Sequence, residues 1–179
     1  GKIIKVKNNK IEDSINIESL DGTSINRFLR TANGIMHIAT NKGIITLTKQ
    51  QKPDFFSEAN GLPTNMVSCL CVDFEENLWA GMERGGLVKF SKGRFVDLAS
   101  AASLPPAASN SVLEDADKNI WIAKDDSLVC LKNSALDKKR SENIDALIKG
   151  MEGHRIRQIR EDADGSLYVA TYSDKGVVI

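Results

Sequence analysis

Asp117-Lys118-Asn119-Ile120-Trp121-Ile122-Ala123-Lys124 decides the fold of this chain, because the same pattern occurs four times. Glu75-Glu76-Asn77-Leu78-Trp79-Ala80-Gly81-Met82 is one copy, and Asn33-Gly34-Ile35-Met36-His37-Ile38-Ala39-Thr40 is another. Asp164-Gly165-Ser166-Leu167-Tyr168-Val169-Ala170-Thr171 is the fourth. Each copy is a polar turn, an aliphatic residue, a large ring, a second aliphatic or small residue, then Gly, Ala or a near equivalent. The rings His37, Trp79, Trp121 and Tyr168 are spaced by 42, 42 and 47 residues. A fixed period of this size is the mark of a repeat architecture.

The flanks repeat as well. Nine residues before each ring stand Phe28, Leu70, Val112 and Ile159; twelve before stand Ile25, Val67, Ser109 and Ile156. Each copy therefore reads as a strand, a tight polar turn and a second strand that carries the ring. Asn33-Gly34 and Asp164-Gly165 supply residues that accept the positive φ of two-residue hairpin loops. Third strands follow at Gly43-Ile44-Ile45-Thr46-Leu47 and Gly85-Gly86-Leu87-Val88-Lys89-Phe90. Fourth strands follow at Arg94-Phe95-Val96-Asp97 and, less regularly, around Phe55-Phe56. Four short antiparallel strands in about 42 residues is the arithmetic of a β-propeller blade.

A helical solenoid of similar period would need apolar residues at three- and four-residue intervals over ten or more positions. Here the apolar runs are short and broken by Gly and Asn. One interval departs from this. Between Leu136 and Met151, Ile144, Leu147, Ile148 and Met151 have helical spacing, so a short inserted helix and a charged loop are both readings of that interval. Ala99 to Ser109 is Ala, Ser and Pro except for Leu104, which suits an extended crossing between two blades. The repeat resumes in register after each, so residues 1–179 are expected to form one propeller segment. Its copies fall at about 21–60, 61–104 and 105–150, with partial copies at 1–20 and 151–179.

Composition narrows the function. With 24 basic and 24 acidic side chains the formal charge is zero, and no basic excess awaits nucleic acid or an anionic membrane. No apolar run approaches the roughly 20 residues of a membrane-spanning helix. The N-terminal Gly1-Lys2-Ile3-Ile4-Lys5-Val6 alternates where a signal peptide would be uniformly apolar. Cys69, Cys71 and Cys130 make no disulfide framework; the first two stand on one face of a strand, too far apart for easy bridging.

Gly61-Leu62-Pro63-Thr64-Asn65-Met66-Val67, with Leu78-Trp79-Ala80-Gly81 and Gly85-Gly86-Leu87-Val88-Lys89-Phe90, resembles the two-component regulator propeller repeat. The second copy matches that pattern nearly throughout. The others depart from it at His37, Tyr168, Ser127 and Leu104-Pro105-Pro106. The resemblance implies a segment of about four four-stranded blades within a larger propeller of about seven. It also implies a place in the extracytoplasmic sensor region of a membrane-anchored bacterial receptor, with a small-molecule or glycan ligand. A scaffold that serves only docking or receptor dimerisation is the alternative.

Other motifs have plainer readings. A ring at one position of every copy is a plug between blades before it is a ligand platform, and His37 shares that slot. With His154 the only other histidine, no His-based metal cluster can be assembled, and no nucleophile–base motif is present, so neither enzyme activity nor a cofactor is expected. Counted as a calcium loop from Asp162, position twelve is Ser173, where a bidentate Glu is required. Gly81-Met82-Glu83-Arg84-Gly85-Gly86 has no Lys-Ser/Thr and no following helix, so it is a turn and not a phosphate loop. Ligand contacts are expected from the loop after the ring strand, where Arg84, Asp125, Asp126 and Tyr172 fall in three copies.

The two ends of the chain have the same phase. Gly1-Lys2-Ile3-Ile4-Lys5-Val6 and Gly176-Val177-Val178-Ile179 both align with the third strand of a repeat. The expectation is an open arc with unpaired edges that associates through its terminal blades, with another copy or with further repeats of its parent.

Overall fold

The computed structural model describes residues 1–48, 53–84, 86–98, 107–125, 127–132, 141–143, 155–172 and 177–178. Three four-stranded antiparallel sheets follow one another. The first is β3 (Ile25–Arg30), β4 (Met36–Thr40), β5 (Gly43–Leu47) and β6 (Pro53–Phe56). The second is β7 (Val67–Val72), β8 (Leu78–Met82), β9 (Leu87–Ser91) and β10 (Arg94–Asp97). The third is β11 (Ser109–Glu114), β12 (Ile120–Lys124), β13 (Leu128–Leu131) and β14 (Ser141–Asn143). Ahead of them β1 (Lys2–Lys7) and β2 (Lys10–Asn16) form a two-stranded sheet. After them β15 (Arg155–Glu161), β16 (Leu167–Tyr172) and β17 (Val177–Val178) form a three-stranded one. Strands within each sheet lie in sequence order, as in propeller blades.

Helix was one reading of 136–151, and the structure corrects it in part. Ser141–Asn143 is the fourth strand of the third blade, pairing with Val129, Cys130 and Leu131. Sheet pairing along the edge of β13 takes these three residues; Ile144, Leu147, Ile148 and Met151, which carry the helical spacing, lie outside the described residues, as does most of 99–109.

The ring strand is buried on both faces because each sheet packs against the next. On β8 every residue is buried. Leu78, Ala80 and Met82 face the first blade, where they meet Ala39 and Ile44. Trp79 faces the other way, into a cluster with Val112, Ile120, Ile122 and Leu131 of the third blade. Alternation with period two thus serves two cores at once. Gly81 shows how tight this layer is: a Cβ there would lie 2.4 Å from Cys69 Sγ and 2.9 Å from Ser109.

The ring slot is less uniform than its sequence. Trp79 is fully buried, but Trp121, His37 and Tyr168 are only half-buried. A shared slot would bury His37 nearly as deeply as the tryptophans; it falls in the same range as Trp121 but short of Trp79. The difference lies in the residue opposite. Lys89, paired with Trp79, lays its Nζ 4.8 Å from the indole centroid, whereas Cys130, paired with Trp121, is too short to cover the ring. His37 meets Thr46 in the same pairing, with Nδ1 2.8 Å from Oγ1. Burial holds the His37 pKa below its ordinary value.

The hairpin turns also differ in detail from two-residue loops. Thr31 N–H donates to Ile35 C=O and Gly34 N–H to Thr31 C=O, and the same bonds recur at Asp73, Asp115 and Asp162. The turn is longer, and its left-handed residue stands three before the ring: Gly34, Glu76, Lys118 and Gly165, with φ of 89°, 65°, 68° and 84°. Glycine takes that conformation freely; Glu76 and Lys118 hold it against a steric penalty.

Candidate functional site

Every first strand begins with a β-bulge, and the bulge aims one side chain at the neighbouring blade. The register skips Asn26, Ser68, Asn110 and Arg157, one in each copy, eleven residues before the ring. Asn26 Nδ2 donates to Val67 C=O at 2.7 Å, Ser68 Oγ donates to Ser109 C=O, and Asn110 Nδ2 donates to Ile156 C=O at 2.8 Å. Bulges of this kind redirect side chains. Here three of them connect each blade to the next through equivalent carbonyls. The fourth, Arg157, has a charged side chain in the slot.

Arg157 instead lies over Tyr172, with its guanidinium carbon 5.4 Å from the ring centroid. Tyr172 is 74% exposed, so this contact sits at the surface. Arg155 pairs with Tyr172 across the ladder, and its Nε donates to Asp125 Oδ1 at 3.0 Å. Asn110 Nδ2 donates to the same carboxylate oxygen at 2.9 Å. The result is a surface patch at the junction of the third and fourth blades: one exposed ring, two exposed guanidiniums and one carboxylate that fixes Arg155. Guanidinium forks donate bidentately to carboxylates and stack on rings, which suits the patch to a small anion or a polar ring.

Among the sequence candidates, Asp125 and Tyr172 occupy equivalent positions, four residues after their rings, and Arg155 brings them into one cluster. Arg84 is exposed at the corresponding turn of the second blade, one residue further on. Asp126 lies outside the described residues. Sequence reasoning missed Arg155 and Arg157. The signal for Arg157 was present, since it breaks the Asn, Ser, Asn series at the bulge position. Arg155 had no such marker.

On the opposite rim, the turns of the second and third blades each carry a carboxylate clasp. Asp73 accepts from Asn77 N–H at 2.8 Å, Asn77 Nδ2 at 3.0 Å and Trp79 Nε1 at 2.8 Å, and pairs with Lys89 Nζ at 3.2 Å. Asp115 repeats this with Asn119 and Trp121 Nε1, the latter at 2.7 Å. Glu carboxylates join neighbouring turns: Phe74 N–H donates to Glu114 and Ala116 N–H to Glu161. These groups are saturated by the protein itself. Among the described residues no group of three or more His, Cys, Asp and Glu converges to hold a metal ion.

Solved structures share this architecture. The extracellular domain of the hybrid two-component system BT3049 from B. thetaiotaomicron is 19% identical, with a TM-score of 0.70 over 94% of this chain and 22% of that one. The chain folds as a segment of a β-propeller. The corresponding domain of BT4673, from the same organism, is also 19% identical and matches 82% of this chain and 19% of its own with a TM-score of 0.66. A virginiamycin B lyase from Staphylococcus aureus, solved with quinupristin, is 15% identical, with a TM-score of 0.66 over 92% of this chain and 57% of that one. The propeller segment thus spans about a fifth of the length of the receptor domains it matches. No protein-family model matches the chain. No curated protein matches it in sequence either.

Proposed function

We propose that this propeller segment is a non-catalytic module of the extracytoplasmic sensor region of a bacterial signalling receptor. The observation that carries the reading is the match of 94% of the chain to the BT3049 extracellular domain. The Leu-Pro-Thr-Asn entry and the Leu-Trp-Ala-Gly strand support it. The lyase relationship is to a catalyst on the same fold, so fold alone does not decide activity. What favours binding here is the exposed patch of Arg155, Arg157 and Tyr172, which offers contacts and no proton chemistry. Among the described residues, no helix is long and apolar enough to cross a membrane.

In this reading Arg155, Arg157 and Tyr172 contact a small molecule or glycan that carries a carboxylate, while Arg84 and Asp125 flank and orient. Thermal-shift and calorimetric titration with glucuronate and glucose tests it. Carboxylate-dependent binding that disappears in Arg157→Ala and Tyr172→Ala, with both variants folded, supports the assignment. Binding unchanged by both substitutions removes it. The scaffold alternative gains from the exposed apolar surface around Phe28.

A further inference from the structure

Asn33 is the neutral member of a charged series. Four residues before the rings stand Asn33, Glu75, Asp117 and Asp164. What Asn33 meets in the neighbouring blade accounts for the exception. Its Nδ2 donates to Glu76 Oε2 at 2.7 Å, from the turn of the first blade to that of the second. At the place of Glu76 the third and fourth copies carry Lys118 and Gly165, so Glu75 and Asp117 have a cation and a glycine there in the next turn. A carboxylate only accepts, so beside Glu76 an amide can bridge the turns and an acid cannot.

The residue after Asn33 is Gly34, and the turn folds the two together. Asn33 Oδ1 accepts from Ile35 N–H, two residues on, at 3.2 Å, and from Thr31 Oγ1. Such an Asx turn lays the side chain forward over the following peptide. There it lies beside the Gly34 nitrogen, in a residue with no Cβ to obstruct it. A second Asn-Gly pair, Asn60-Gly61, is built the other way round. Asn60 Oδ1 accepts from Ser57 N–H, three residues back, at 3.1 Å, so its side chain turns away from Gly61. Both glycine N–H groups are bonded within their turns, to Thr31 and Glu58 C=O, so the direction of the side chain is the difference. Asn33 is exposed, and so are the turns at the same place in the second and third blades, which have a sheet on either side. Its exposure is thus a property of the turn and not of what adjoins the first blade.

We infer that Asn33-Gly34 is a site of spontaneous deamidation, and that its conversion changes the link between the first two blades from attraction to repulsion. The Gly34 backbone nitrogen attacks Asn33 Cγ. The new C–N bond forms, the Cγ–Nδ2 bond breaks, and ammonia leaves with the proton that Gly34 N–H gives up. Ile35 N–H and the Thr31 hydroxyl face the oxygen on which charge develops, as donors in an oxyanion hole do. Solvent water then opens the succinimide. Attack at Cγ gives aspartate; attack at the Asn33 main-chain carbonyl gives isoaspartate, with the main chain rerouted through Cγ. The turn itself accommodates aspartate, since Asp164 holds the same Asx turn and accepts from Ser166 N–H at 2.9 Å. The effect falls on the link. Two carboxylates then face each other where an N–H···O bond stood, and like charges at that range repel. The inference rests on turn geometry and is independent of the receptor reading.

Peptide mass spectrometry of the folded protein, kept warm at mildly alkaline pH in ammonia-free buffer, tests the chemistry. The peptide holding Asn33 should gain the mass of an amide-to-acid exchange, with isoaspartate among its products. The peptide holding Asn60 should do so only once guanidinium has unfolded the chain. Isomerisation at Asp164-Gly165 leaves the mass unchanged and does not confuse the reading. Equal conversion of both asparagines in the folded protein overturns the inference, and so does an Asn33 amide that persists there. Asn33→Asp supplies the aspartate product directly and tests the link. Amide hydrogen exchange should quicken in the turns at 31–35 and 73–77, and adding Glu76→Gln should restore wild-type protection. Exchange unchanged by Asn33→Asp, or quickened but not restored by Glu76→Gln, would deny the link its charge dependence.

Discussion

Trp79 Nε1 donates to Asp73 Oδ2 at 2.8 Å beneath an exposed turn, and the same carboxylate meets Lys89, which lies over the indole. One side chain thus satisfies the ring nitrogen, caps the turn and neutralises a nearly buried ammonium. Trp79→Ala should destabilise the protein by about 3–5 kcal/mol, since it empties a layer shared by two blades. Asp73→Ala should cost about 3 kcal/mol, because the indole N–H loses its acceptor and Lys89 its near partner. Trp79→Phe should cost less than either. Urea denaturation followed by circular dichroism gives all three, and an Asp73→Ala variant as stable as wild type would deny the clasp its role.

Acid sensitivity follows from the same carboxylates. Burial alone would raise the Asp73 and Asp115 pKa values, but hydrogen bonds from Trp79 and Asn77, and from Trp121 and Asn119, outweigh it and hold both below the ordinary 3.8. The unfolded chain therefore takes up protons first as pH falls. The stabilisation is complete above about pH 4, the unfolded carboxylate range, and is lost as pH drops toward the lower folded values. Stability of wild type should fall more steeply below pH 4 than that of an Asp73→Asn/Asp115→Asn variant. Parallel curves would show that these groups do not govern the acid limb.

How much of this was legible beforehand depends on the residue. Trp79 and Trp121 announced the period because burial between blades demands a large ring at one strand position. Asp73 and Asp115 were invisible as clasps: a carboxylate in a polar turn is ordinary, and only the fold shows it reaching the indole N–H. The bulges were hidden too, since an extra residue leaves the spacing from first strand to ring unchanged across copies. Uneven burial of the two tryptophans turned on Lys89 and Cys130, cross-strand neighbours ten and nine residues from their rings. At the ligand patch, Tyr172 and Asp125 came from loop position, while Arg155 entered through the ladder and an ion pair that only the fold assembles.

Cys69 and Cys71 should be poor nucleophiles. Burial pushes their thiols up to about 12 and about 11, so the thiolate is scarce at neutral pH. Cys130 is buried as well. At pH 8 Ellman's reagent should react slowly with the folded protein but quickly with all three thiols once guanidinium has unfolded it. Prompt modification of a thiol in the native state would mean that the inter-blade layer opens readily.

Gly81 should tolerate no side chain. Its φ is not positive, so the constraint is space: a Cβ would press on Cys69 Sγ and on both the Cβ and the carbonyl oxygen of Ser109 in the next blade. Gly81→Ala should therefore cost about 1–3 kcal/mol by overpacking. In a Cys69→Ala background the cost should shrink but persist, because the Ser109 contact includes backbone. Equal stability of Gly81→Ala and wild type by urea denaturation would mean that the blades separate without penalty.

The bulge connectors predict where the propeller segment loosens. In a repeat architecture stability is the sum of repeat terms and nearest-neighbour interfaces, so losing one connector should act on one junction. Asn110 Nδ2 holds both Ile156 C=O and the Asp125 carboxylate that anchors Arg155. Asn110→Ala leaves those acceptors without that donor and should cost about 1 kcal/mol. Its effect should concentrate in the fourth blade, with faster amide hydrogen exchange across β15 and β16 and little change in β3 to β6. Asn26→Ala, which frees Val67 C=O, should do the reverse and leave β15 and β16 protected as before. The pair of exchange maps decides the matter: two variants that loosen all blades alike would show that the junctions respond as one cooperative body and not as separate hinges.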